Sequence, residues 1–144
     1  MPKLRVSDHQ FGELEWDDDY NRWSGTVTIG SSTVRVYIDA CDDGSEEMGI
    51  SENARKAYGI ISESQSQIRE KACLDLLETY NQAWNQGAQI DARTFMGRPI
   101  LEAITIYSEG MAEIFFGDDD MFWGHSIIVS MNESGEFDSA YIGG

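Results

Sequence analysis

Hydrophobic and polar positions change period twice along this chain, dividing it into strands, helices and strands again. Phe11, Leu14 and Trp16 precede a polar run at residues 17–22, and residues 23–29 then alternate with period two. Gly30, Ser31 and Ser32 predict a turn, after which residues 33–39 alternate with Val34, Val36 and Ile38 on one face. Together these segments predict an antiparallel meander. The acidic, turn-rich stretch 41–49 predicts a surface loop.

Helical spacing follows. Ser51 is placed to cap a helix that starts at Glu52, because a serine side chain can accept an otherwise unpaired N–H of the first turn. A stronger pattern spans residues 64–84: Ile68, Ala72, Cys73, Leu76, Leu77, Tyr80 and Trp84 share one broad stripe, while Arg69, Lys71, Asp75, Glu78 and Gln82 occupy the remainder. Gly87 ends that segment, and Asp91 caps a short helical turn that stops at Gly97 before Pro99. Strand patterning returns at residues 100–107, turns at 108–110 and runs back through 111–116. Two further strands, 125–131 and 136–142, flank a turn at 132–135. This order predicts one α+β domain over residues 1–144, a mostly antiparallel sheet with one long and one or two short helices packed on one face.

Composition supports a folded domain and narrows its chemistry. Apolar residues make up 41% of the chain, enough for a core. Against 26 Asp and Glu stand only 10 Lys and Arg, a formal charge of −16, which argues against nucleic acid as a partner. No apolar stretch is long enough to span a bilayer, and no apolar segment follows the basic N-terminal residues, so the expected location is the cytoplasm. Cys41 and Cys73 are too few and too far apart for a disulfide framework and are expected as free thiols in or near the core. The acidity is uneven: residues 73–144 carry 12 acids and 2 bases, against 14 and 8 in residues 1–72. From Pro99 onward there is no Lys or Arg at all, so this segment cannot neutralise itself through local ion pairs.

No nucleotide-binding loop, zinc motif or nucleophile elbow occurs, so neither cofactor nor metal is expected. The aspartate runs 17–19 and 118–120 lack the spacing of a calcium loop and read as solvated turns. His125 follows Phe122, Trp123 and Gly124 and lies close to Asp118, Asp119 and Asp120, any of which could orient an imidazole acting as general base. No nucleophile accompanies it, since the adjacent Ser126 points to the opposite face of a strand.

The segments 11–14 and 23–25, Leu76, Leu77 and Asn81 on the helix, the turn at Thr94 and Phe95, residues 104–110, the run Phe122, Trp123, Gly124, His125, Ser126, Ile127 and the ending 140–143 resemble the bacterial family known as domain of unknown function 2262. The resemblance covers nearly the whole chain, with Phe122, Trp123, Gly124 and His125 as its signature. It implies an immunity protein encoded beside a polymorphic or contact-dependent toxin, and it carries over no catalytic residue.

The leading expectation is therefore a non-enzymatic, cytoplasmic, acidic binding protein that neutralises a cognate basic toxin, a nuclease being the natural example, by occluding its active surface. Glu113, Asp118, Asp119, Asp120 and Trp123 are the expected contact residues. The alternatives are a structural or regulatory module that self-associates through a sheet edge, and a small hydrolase built on His125.

Overall fold

The computed structural model describes residues 4–40 and 49–143. Eight strands form one sheet in chain order: β1 (Arg5–Asp8), β2 (Gly12–Asp17), β3 (Arg22–Ile29), β4 (Ser32–Asp39), β5 (Ile100–Ile106), β6 (Ala112–Gly117), β7 (Ser126–Met131) and β8 (Phe137–Gly143). Every neighbouring pair is antiparallel except β4 and β5, which run parallel with Val36 beside Ile104. Antiparallel neighbours need only a tight turn, whereas parallel neighbours need a long crossover, and this crossover contains all the described helices. They are α1 (Glu52–Glu63), α2 (Gln65–Thr79), a π-helical turn (Tyr80–Trp84) and α3 (Ala92–Gly97).

The α+β expectation is corrected by this arrangement. The molecule is a single eight-stranded mixed sheet made of two four-stranded meanders, and it has no single long helix laid on a sheet. The helical region holds α1 and α2 at 12 and 15 residues, separated at Ser64, plus the six-residue α3. Hydrophobic period identifies which residues share a face, but strand direction depends on where the chain re-enters the sheet. The expected caps are present: the Ser51 hydroxyl accepts the Ala54 N–H at 3.0 Å, and the Asp91 carboxylate accepts that of Thr94 at 2.8 Å.

The core occupies one side of the sheet. One row across the strands runs Leu14, Gly25, Val36, Ile104, Ile114 and Val129, and its side chains are fully buried. Gly25 is required there: a Cβ would stand 2.8 Å from Leu14 Cδ2 and 2.9 Å from the Glu13 carbonyl, closer than such atoms approach. Ile61, Ile68, Ala72 and Leu76 complete the core from the helices, with α2 packed on β7 and β8 and α1 on β5. Cys73 is a buried free thiol, and burial pushes its pKa up. Cys41 and most of the predicted 41–49 loop lie outside the described residues.

Both sheet edges are blunted. β1, which alternation missed because its residues are almost all exposed, is four residues long. On β8 the outward N–H of Ala140 donates to the Asp75 carboxylate of α2 at 2.9 Å, which removes a donor that a second sheet would need.

Asp8 ties the first hairpin to α1. Its carboxylate accepts from Arg55 at 2.7 Å and from the N–H groups of Gln10 and Phe11. The Arg55 hydrogen bond is the main cause that holds the acid at about 2, outweighing the opposing effect of burial. A carboxyl lowered on folding stabilises the native state above its ordinary value of 3.8 and loses that contribution as pH falls toward about 2. Asp8→Asn should therefore cost about 2 kcal/mol at neutral pH and flatten the acid limb of the stability profile between those values, measured by urea unfolding from pH 7 to 2.

Candidate functional site

The signature segment is a turn built around one buried carboxylate. Asp118, 6% exposed, closes β6 and accepts three backbone N–H groups: Asp120 at 3.1 Å, Phe122 at 2.8 Å and Gly124 at 2.9 Å. That anchoring is needed because Asp119, Asp120 and Trp123 have φ of 51°, 61° and 58°, left-handed values that L-residues rarely hold in series. Phe122 points inward and is fully buried, with its ring 5.7 Å from Tyr80, 5.4 Å from Trp84 and 6.2 Å from Phe95. Tyr80 and Trp84 begin and end the π-helical turn, so the widened helix end provides the floor for the signature. Trp123 lies 4.6 Å from Trp84 and is 62% exposed, and the exposed His125 meets Trp84 edge-on at 5.9 Å.

The expected contact residues do not form one patch. Asp118 is buried and committed to the backbone. Asp119 is held by Arg98, whose Nε donates to the carboxylate at 3.0 Å and whose Nη2 donates to the carbonyl at 2.7 Å. Asp120 and Trp123 are exposed on the same turn. Glu113 lies elsewhere, at the second position of β6 on the sheet face opposite the core, five residues before Asp118 and so roughly 17 Å along β6. A His125–aspartate dyad with Asp118 or Asp119 is not assembled, because both carboxylates already have partners.

Glu113 has its own setting. The hydroxyls of Tyr107 and Tyr141 donate to its two oxygens, each at 2.7 Å. Both phenols are pushed up to about 12, Tyr107 chiefly by burial and then by Glu113, Tyr141 chiefly by the Glu113 hydrogen bond. The rest of this open face is mixed: Arg22 lies over the rings of Tyr37 at 4.1 Å and Tyr20 at 4.7 Å.

A concentration of acid that sequence order conceals appears at one end of the sheet. The β2–β3 turn brings Asp17, Asp18 and Asp19 to this end, and β4 finishes there at Asp39. The parallel register places the β5–β6 turn with Glu109 alongside, and the Ser51 hydroxyl, donating to the Ser108 carbonyl at 2.6 Å, brings Glu52 to the same place. The β7–β8 turn adds Glu133 and Glu136. Among the described residues Arg22 acts on Asp39, Arg55 acts on Glu52, and Lys56 shares a depression with Glu133, so the eight carboxylates outnumber these cations. The alternation of turns in a meander was the available signal, since every second turn must lie at the same end.

Three depressions on the surface, of about 290, 380 and 180 Å³, are centred on Arg5 and Arg35, on Leu74 and Phe137, and on Lys56 and Gly135. None of the three includes His125. Among the described residues no group of three or more His, Cys, Asp or Glu side chains is arranged to hold a metal, and no helix is long and apolar enough to cross a membrane. Both aspartate triplets serve their own turns: Asp17 accepts the Asp19 N–H at 3.0 Å, and Asp18 accepts the Trp16 indole N–H at 2.6 Å.

Two outcomes follow from this geometry. Asp118→Ala strands three N–H groups and should lower stability by about 3 kcal/mol, read as a shift of the urea midpoint at unchanged slope. Glu113→Gln should return Tyr141 most of the way toward its ordinary pKa of 10 and Tyr107 less far, because burial still raises the latter. Alkaline absorbance titration of the phenolates resolves the difference.

Neither the curated proteins nor the solved structures that were compared contain a match to this chain. A family model does match, over residues 8–142, and carries the description "Uncharacterized protein conserved in bacteria (DUF2262)". The match includes the Asp118 turn, strands β2 to β7 and all of β8 but Gly143, and of β1 only Asp8, so the chain belongs to this bacterial family of unknown function.

Proposed function

We propose that this chain is a non-catalytic binding protein of the immunity type, which uses its acidic sheet end to engage a basic protein toxin and occlude the toxin's active surface. The observation that carries the reading is the gathering of eight carboxylates from four separate connections at one end, where they outnumber Arg22, Arg55 and Lys56. Such a field raises encounter rates with a cationic surface and rejects acidic ones, which is what charge contributes to recognition. Tyr20, 67% exposed beside this end with Arg22 over its ring, supplies the aromatic and arginine pairing typical of energetic centres in interfaces. The expected contact therefore moves from Asp118, which is buried, and Asp119, which is paired with Arg98, to the turns that carry Asp18, Glu109 and Glu133.

The test is association with the toxin encoded beside this gene, followed by stopped flow from about 50 to 500 mM salt, a range over which screening becomes severe. The on-rate should fall by about 10-fold or more across the range. The double variant Asp18→Lys, Glu133→Lys should slow it comparably at low salt, while Glu102→Lys, exposed near the start of β5 at the opposite end, should leave it nearly unchanged. An absence of binding, or a rate indifferent to salt and to the double variant, defeats the reading.

A further inference from the structure

Trp123 has an environment that folding alone does not require. The N–H groups on either side of it, at Phe122 and Gly124, both donate to one oxygen of Asp118, which arches residue 123 outward at φ 58°. Beneath the indole lies Trp84, itself packed against the buried Phe122, while the Trp123 side chain stays 62% exposed. Arg98 clamps the base of the same turn through Asp119. An exposed ring on so rigid a mount loses little freedom on binding a partner.

The chemistry that fits this ring follows from how the molecule uses its other aromatics. Arginines lie over Tyr37, Tyr20, Phe116 and Phe11 at 4.1 to 6.0 Å. Among the described residues no cation lies over Trp123, although indole is the best cation–π acceptor of the side chains. Three positions earlier, Asp120 is exposed and has no ion pair among the described residues. The formal charge of −16 attracts a cation and opposes stacking of a second copy through this face.

We propose that Trp123 and Asp120 form a second contact surface, at the end of the sheet opposite the acidic turns, which captures an arginine side chain of a basic protein segment. The guanidinium stacks on the indole and its N–H groups donate to the Asp120 carboxylate. Arginine fits better than lysine, because its planar ion both stacks and forks toward a carboxylate.

The probe is an acetylated, amidated tetra-arginine peptide, titrated into the full chain while the indole N–H signals are followed by NMR. The Trp123 signal should move saturably, and an equal concentration of tetra-lysine should move it less than half as far. Asp120→Asn should weaken the arginine response about 3-fold or more, and Trp123→Ala should abolish the peptide's effect on neighbouring His125. Should Trp123→Ala lose the native spectrum, Asp120→Asn, at an exposed site, still decides. The Asp18→Lys, Glu133→Lys variant should leave the Trp123 response intact, which separates this surface from the acidic end. Shifts confined to the acidic turns, equal responses to the two peptides, or a Trp123 signal that responds instead to maltohexaose or to protein concentration alone would overturn the proposal.

Discussion

The parallel pairing of β4 with β5 governs the layout of this molecule. Two adjacent strands that point the same way cannot be joined by a turn, so the chain must leave the sheet, cross one face and return. All the described helices lie in that excursion. They bury the row from Leu14 to Val129 on one side of the sheet. The other side carries Arg22, Tyr37, Glu113 and Tyr141 as a polar and aromatic face. On either side of the crossover, tight turns alternate between the two ends of the sheet, and this alternation assigns each loop its neighbours.

The charge of the chain takes on a different meaning once that layout is known. The C-terminal segment without Lys or Arg is divided between both ends of the sheet. Asp118 is turned inward as a scaffold for backbone amides, and Asp119 finds Arg98, which lies just outside that segment in sequence. Glu113 is shared by two phenols. By contrast, Asp17, Asp18 and Asp19 belong to the better-balanced N-terminal half, yet they join Glu109, Glu133 and Glu136 at one end. Net charge is a property of composition, whereas its field depends on which turns become neighbours.

The signature residues show the same division between scaffold and surface. Phe122 fills a gap among Tyr80, Trp84 and Phe95, and Gly124 accepts a left-handed φ of 89° so that the chain can enter β7. Trp123, between them, is directed outward. One turn thus joins residues that hold the fold together to a residue free to meet a partner.

Much of the local structure was legible from residue pattern alone. Alternation located β3 and β4 and the hairpin of β5 and β6, and side-chain oxygens at Ser51 and Asp91 marked two helix starts, because period and capping act between residues close in the chain. The π-helical turn under Trp123 and the exposed strand β1 left no comparable trace. Sequence also determined the excess of carboxylates and the aromatic run before β7. Only the tertiary structure decided that β4 and β5 run parallel, that Asp118 faces inward, and which acids share an end of the sheet. These outcomes depend on contacts between segments tens of residues apart, where register and burial of the whole sheet outweigh any local preference.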